Sequence, residues 1–253
     1  MAWNPAQYLK FAGPRLQPAL DLMARIPDRA FARVVDLGCG TGEQTAMLAR
    51  RFRSAEVRGV DASEAMLARA RKAWPEGAFE LSDADAWVTS NLGGECGGGG
   101  TLLYSNAALQ WLPDHASLFP RLARALGASG VLAVQMPRNH AAPAYATLHR
   151  LASSERWRAV LPPLPQFPVL PPEAYYAALT PCCDAVDVWE TEYLHVLEGD
   201  DPVVEWVRLG GSSRETPPST CRHTRTHAGE GHFDDADSCG AQPACRRAIC
   251  IHG

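Results

Sequence analysis

The sequence predicts an α/β fold: a doubly wound, mostly parallel sheet with helices on both faces. Three observations predict it. Short apolar runs alternate with helical patterns from Arg33 to Gln135, the arrangement that builds βαβ units and a parallel sheet. The first run ends in a glycine-rich turn, Gly38-Cys39-Gly40-Thr41-Gly42. The second ends in Asp61, at the carboxyl edge where open sheets of this kind bind ligands.

Each element has its own justification. Asn4-Pro5 reads as an N-cap followed by proline at the first helical position, where the missing N–H costs nothing. Leu16, Leu20 and Met23 recur at helical spacing and predict a helix over Pro14–Ile26. Arg33–Leu37 is a β-branched run stopped by glycine, a buried strand. A helix over Glu43–Phe52, a strand over Val57–Val60, a helix over Glu64–Trp74 stopped by Pro75, and a strand over Ala78–Leu81 follow. Leu102–Ser105 is a fourth strand, Asp114–Leu126 a helix and Val131–Gln135 a fifth strand. Six prolines between Pro162 and Pro172 make an irregular connection, after which Val186–Leu197 reads as a longer strand and Asp201-Pro202 opens a short helix through Leu209.

Composition narrows the function classes. The chain has 253 residues, with 24 Lys+Arg against 28 Asp+Glu and a net charge of −4. A general nucleic-acid or membrane binder needs a clustered basic surplus, which is lacking. No apolar run reaches the roughly 18 residues that a membrane helix needs. Met1–Phe11 lacks the basic and apolar regions of a signal peptide, so a cytoplasmic protein is expected, with a monomer as its simplest state.

Two stretches break the pattern. Gly93–Gly100 carries six glycines where a connection into a strand is due, a backbone with much entropy to lose on ordering. From Gly211 to Gly253 the only large aliphatic or aromatic residues are Phe233, Ile249 and Ile251, while four of the eight cysteines and four of the eight histidines crowd there. Residues 1–210 therefore read as the domain. Residues 211–253 read as an atypical tail, of the composition that disorder or out-of-frame translation produces. Cys221, His223, His227 and Cys239 lack the paired Cys-x-x-Cys spacing of structural zinc sites, so no metal is expected.

The Gly38–Gly42 turn links a strand to a helix N-terminus, where glycines let a ligand approach the main chain and N–H donors collect. A dinucleotide fold would want glycine where Glu43 stands. An acid there opposes a pyrophosphate, which weighs against NAD. Asp61 can accept from both ribose hydroxyls of a nucleoside, and Asp83 follows the third strand at the same sheet edge.

These residues bring out a resemblance. Trp3-Asn4-Pro5-x-x-Tyr8, Val35–Gly42, Gly59-Val60-Asp61, Ser105–His115 and Leu132–Pro137 resemble class I S-adenosylmethionine-dependent methyltransferases, and among them the trans-aconitate methyltransferases, over Trp3 to about Arg208. The resemblance implies the Rossmann-like methyltransferase fold with N-terminal helices and a partial helical cap. It implies S-adenosylmethionine as cofactor, with Asp36, Gly38, Cys39, Gly40 and Gly42 flanking its methionine part. Asp61 with Ala62 would hold the ribose, Met66 would pack near the adenine, Asp83 and Ala84 would meet the adenine amino group, and the main chain of Asn106 would lie near the methionyl amino group. A small polycarboxylate would be the substrate, with Trp3, Tyr8, Gln110, Trp111, His115, Tyr176, His195 and Arg208 as candidate contacts and Arg138 as a further cation.

The implied chemistry needs no general base. A carboxylate is already ionised at neutral pH, since its pKa is about 4, so alignment and exclusion of water can carry the rate. No catalytic side chain is therefore expected. The chain departs from its relatives after Trp206-Val207-Arg208, where they continue into a helical cap and a final apolar strand. Here Leu209–Arg214 leads nowhere similar, so the C-terminal strand, which belongs between the fifth and sixth, is expected to be missing or degenerate, Arg247–Ile251 being a poor substitute. A cofactor-binding but catalytically impaired protein is the competing expectation.

Overall fold

Seven strands, β1 (Arg33–Leu37), β2 (Glu56–Asp61), β3 (Ala78–Leu81), β4 (Thr101–Asn106), β5 (Val131–Met136), β6 (Cys183–Glu190) and β7 (Cys245–His252), line up in the order β3-β2-β1-β4-β5-β7-β6. This architecture is that of a computed structural model, which describes residues 12–91, 100–161, 164, 169–204, 206 and 245–252. Every strand pairing among them is parallel. The expected helix at Asn4-Pro5 and most of the glycine run lie outside the described residues. The helices include α1 (Ala12–Arg25), α2 (Glu43–Arg51), α3 (Glu64–Ala73), α4 (Ala84–Asn91), α5 (His115–Ala125), α6 (Pro143–Ala152), α7 (Glu155–Arg158) and α8 (Pro172–Leu179), and residues 202–204 and 206 are helical as well.

Strand alternation divides the core in two. Val34, Leu102 and Val131 face one side, packed with Leu22 and Met23 of α1, with Ile26 just past its end, and with Leu48 of α2. Their chain neighbours Val35, Leu103 and Leu132 face the other side, packed with Trp87 of α4, Leu118, Phe119 and Leu122 of α5, and Tyr175 and Leu179 of α8. Period-2 alternation in strands buried on both faces makes this continuous apolar run possible. The Arg51 guanidinium ties α2 to α1 by donating to the carbonyls of Met23 and Ile26 (2.7 Å for the latter), where a helix C-terminus leaves carbonyls unpaired.

The structure corrects three expectations. The final strand is not missing: Cys245–His252 pairs with β5 from Val131↔Arg247 to Met136↔His252, and with β6 from Cys183↔Cys245 to Glu190↔His252. It occupies the expected slot with a sequence that includes two consecutive arginines. The strand expected over Val186–Leu197 starts earlier and stops at Glu190. Four helices, α4, α6, α7 and α8, have bounds that no expected element gave, the resemblance implying only a partial helical cap; α6 and α7 bury no residue, so no apolar stripe announces them.

Because β7 is an interior strand of 8 residues, its removal strips β5 and β6 of ladder partners worth about 0.5–1.5 kcal/mol per bond. That is a large share of a total stability of about 5–15 kcal/mol. A stop codon after Ala244 should abolish cooperative thermal unfolding; a melt unchanged by that truncation would show that β7 adds nothing to the sheet.

Candidate functional site

Strand order reverses between β1 and β4, the place where open α/β sheets form a ligand crevice at their carboxyl ends. Two loops make its walls: Gly38–Gly42 after β1 and Ala107–Asp114 after β4. They meet in close contact. A Cβ on Gly38, whose φ is +80°, would stand 2.2 Å from Ala108 Cβ, so only glycine fits. Gly40, with φ +55°, has nothing within 4 Å of the place a Cβ would occupy. That opening in the turn is where a ligand can reach the main chain.

Asp61 fixes this turn. Its Oδ2 accepts from the Gly40 N–H at 2.8 Å and its Oδ1 from the Ser63 N–H at 2.8 Å, which joins the loop after β1 to the start of α3. Each oxygen keeps a further lone pair, so the carboxylate can still take two hydroxyl donors. Gly38 and Cys39 donate to the Val60 carbonyl at 2.7 and 3.0 Å. Ala62 is exposed and Met66 half-buried just beyond, in the turn and first helical residues whose N-cap is Ser63.

Beneath the turn lies a buried acid. Asp36 is 1% exposed, and Thr45 Oγ1 donates to its Oδ2 at 2.6 Å. Burial pushes its carboxyl up to about 7; the Thr45 hydroxyl opposes that, and the nearby Asp61 adds to it. Burial, with Asp36 and Asp61 close by, also holds the Cys39 thiol well above its usual range, so it is not a nucleophile at neutral pH. Tyr104, level with Asp36 in the sheet, donates its hydroxyl to Gln44 Oε1 at 3.0 Å. Burial, then Asp36, keeps it a neutral phenol. This part of the crevice is thus lined by acceptors.

The β4 loop brings together Asn106, Gln110, Trp111 and His115. Gln110 is 4% exposed, and its Nε2 donates to the Ala107 carbonyl at 2.8 Å. His115, 2% exposed, opens α5. Its Nε2 lies 3.0 Å from the Leu109 carbonyl, so that nitrogen carries the proton and Nδ1 accepts from the Tyr175 hydroxyl at 2.5 Å. Tyr175 in turn accepts from the Leu170 N–H at 3.1 Å. Burial lowers the His115 pKa. Both ring nitrogens are engaged internally and burial favours the neutral ring: His115 clasps α8 to the β4 loop.

The other candidates separate. Asp83 is exposed and accepts from the Ala86 N–H at 2.8 Å, capping α4, whose first residue is the half-buried Ala84. Tyr176 is 52% exposed on α8, out of phase with its buried neighbour Tyr175. His195 packs against Trp206 at 4.7 Å and Tyr193 at 6.3 Å, and the Tyr193 hydroxyl donates to Asp21 of α1 at 2.8 Å. Arg138 pairs with Glu190 at 2.6 Å. Trp3, Tyr8 and Arg208 lie outside the described residues. Sequence reasoning missed Thr45 and Tyr175. The signal for Tyr175 is its helical spacing from Leu179, which puts both on the buried face.

The comparisons with known proteins agree with this geometry. A family model described as a methyltransferase domain matches residues 34–130, from β1 to the start of β5. The trans-aconitate 2-methyltransferase of Variovorax paradoxus is 44% identical over 211 residues, covering 83% of this chain and 79% of that protein. That of Methylobacterium nodulans is 46% identical over 211 residues, with the same shares covered, and that of Escherichia coli O7:K1 is 39% identical over 209 residues, again covering 83% and 79%. The chain belongs to the trans-aconitate 2-methyltransferase family. No described helix is long and apolar enough to cross a membrane.

Two outcomes follow from the turn and its acids. Gly40→Ala meets no protein atom, so its cost is the left-handed backbone alone, about 1–2 kcal/mol. It should lower ligand affinity at least tenfold in calorimetry while the fold survives, whereas Gly38→Ala should lose the fold; equal melting losses for both would refute the cradle. The second outcome concerns pH. Folded Asp36 keeps its proton from the ordinary carboxylate range up to about 7. Its contribution to stability is therefore full at low pH and lost as pH rises through about 7. A cationic ligand gains an ionised Asp36 over the same window, so its affinity should rise with pH through about 7, and Asp36→Asn should flatten that rise.

Proposed function

We propose that this chain transfers the methyl group of S-adenosylmethionine to a carboxylate of trans-aconitate, giving a monomethyl ester. The observation that carries the reading is the acceptor-lined crevice at the β1/β4 reversal, in a chain of this family. Its donors are spent and its acids are free to take more. Asp61 offers lone pairs to ribose hydroxyls, the turn of Gly38, Cys39, Gly40 and Gly42 gives main-chain access at Gly40, and Asp36 supplies negative charge below as pH rises through about 7. Ala62, Met66, Asp83, Ala84 and the Asn106 main chain complete the cofactor's surroundings in this reading.

When bound, the cofactor supplies a methyl carbon made electrophilic by its sulfonium. That methyl would pass to an already ionised carboxylate oxygen, the sulfur keeping the electrons of the broken S–C bond, so no residue of the chain would have to move a proton. The protein's work is to align the two groups and keep water out, and good orientation alone supplies about 7–11 kcal/mol. Gln110 and Trp111 border the acid's side of the crevice, and Trp3, Tyr8, Arg208, Tyr176 and His195 are the remaining candidates for it. The reading extends to a cytoplasmic monomer acting on a small polycarboxylate.

One observation favours a second reading. Helices α6 and α7 bury no residue, and Leu151, Trp157, Val160 and Leu161 stay exposed there. This segment is thus weakly packed, as in a protein whose substrate cap is incomplete and which binds cofactor without turnover. Assaying methyl transfer across a panel of small polyacids at saturating cofactor separates the two. Ester formation from trans-aconitate, with kcat flat from about pH 6 to 9 because no base must ionise, is the expected result. Cofactor binding without any ester would favour the impaired protein, and a limb rising near neutrality would point to a substrate that needs deprotonation.

A further inference from the structure

The described residues include Cys39, Cys182, Cys183, Cys245 and Cys250. Strand pairing brings two of them together. Cys183 is the first residue of β6 and Cys245 the first of β7, and the two are partners in the parallel register. The same register runs on through Ala185↔Arg247 to Glu190↔His252, so a slip of one residue would undo every later pair. Partner positions in a ladder share a face of the sheet, and neighbouring strands stand about 4.8 Å apart. That spacing lies inside the roughly 4.4–6.8 Å that the Cα atoms of a disulfide span.

The other described cysteines have no such match. Cys250 stands in register between Val134 and Val188. Cys182, one residue before β6, donates its thiol to the Leu179 carbonyl at 3.3 Å. Cys39 belongs to the glycine turn at the carboxyl edge of the sheet, whereas Cys183 and Cys245 begin their strands at the amino edge, away from the crevice.

The place of β7 gives this pairing its weight. It is the last strand in the sequence, yet it sits inside the sheet between β5 and β6. Its ladder has to offset the entropy of closing the long connection that follows β6. A covalent bond across that loop lowers this cost by restricting the unfolded chain, and more so for a longer loop.

We propose that Cys183 and Cys245 form a redox-sensitive clasp, joined as a disulfide by exchange with a small-molecule disulfide such as oxidised glutathione. One cysteine sulfur displaces a thiol from the reagent, and the second cysteine then displaces the other. The reagent's S–S bond is replaced by one between the two cysteines, and both thiol protons leave on the two released thiols. Cys183 is 8% exposed, so exchange proceeds when the amino ends of the two strands open. A thiol reductant reverses it. The clasp lies outside the crevice and needs no ligand, so it stands whatever the chain methylates.

The test uses the full chain. It is incubated with oxidised glutathione, the remaining thiols are alkylated, and the digest is mapped by mass spectrometry. The expected product is a pair of peptides joined through Cys183 and Cys245. The midpoint of thermal unfolding should rise by about 5–10 °C over the reduced chain and return on adding dithiothreitol. Cys250→Ser should keep both effects, and Cys245→Ser should lose both. Because the linkage is read in the wild-type chain, the outcome does not depend on a variant folding. Cys183 recovered alkylated, still carrying glutathione, or joined to any other cysteine would overturn the clasp. So would a Cys183–Cys245 bond that leaves the melt unchanged.

Discussion

The closeness of Gly38 to Ala108 is the constraint on which the site depends. A gap too small for one methyl group brings the turn after β1 and the loop after β4 together. It does so at the strand-order reversal, where two neighbouring parallel strands send their connections to opposite faces of the sheet. Asp61 then holds the other flank of the turn through Gly40 and Ser63, and the Val60 carbonyl pins its first two N–H groups. The glycine turn is thus rigid at both ends and open only at Gly40. Rigidity of this kind lets binding energy go into the ligand rather than into ordering the loop.

Charge in the crevice follows from what that turn uses up. Its N–H groups at Gly38, Cys39 and Gly40 are already bonded to the protein, so they cannot form an anion nest of the kind that grips phosphates. Left over are the carboxyl groups of Asp36 and Asp61. A cradle of acceptors suits a ligand rich in donors and positive charge, and it is a poor host for a pyrophosphate. Glu43, exposed in the first turn of α2, points the same way.

Much of this is legible in the sequence, for identifiable reasons. β1 and α2 stand out because a β-branched run, a glycine turn and a helical pattern follow one another without interruption. Asp61 stands out because it ends a strand beside that turn. Other features leave no local trace. Helix α4 has its two buried residues, Trp87 and Val88, adjacent rather than spaced by a turn, so no helical period shows. The end of β6 at Glu190 is set by pairing with β7, a contact across more than fifty residues of chain that no local pattern encodes. Asp83 is legible both as an acid at the sheet edge and as a helix cap, and it does accept from the Ala86 N–H at the start of α4.

His115 shows how burial changes the role a residue type suggests. A histidine beside a polyacid site invites a reading as a cation. Here the ring is 2% exposed, and taking an imidazolium out of water is costly. It also opens α5, where the helix dipole disfavours positive charge; the exposed N-cap Asp114 only partly offsets these effects. Neutrality then fixes the tautomer, since the Leu109 carbonyl requires a donor at Nε2 and leaves Nδ1 to accept from Tyr175. Protonation would leave the Tyr175 hydroxyl hydrogen without its acceptor in a fully buried place. The contribution of this clasp is therefore complete above the ordinary histidine value of about 6.5 and declines as pH falls below it. The histidine acts on the site by geometry, holding the turn that carries Gln110 and Trp111 against the helix that covers it.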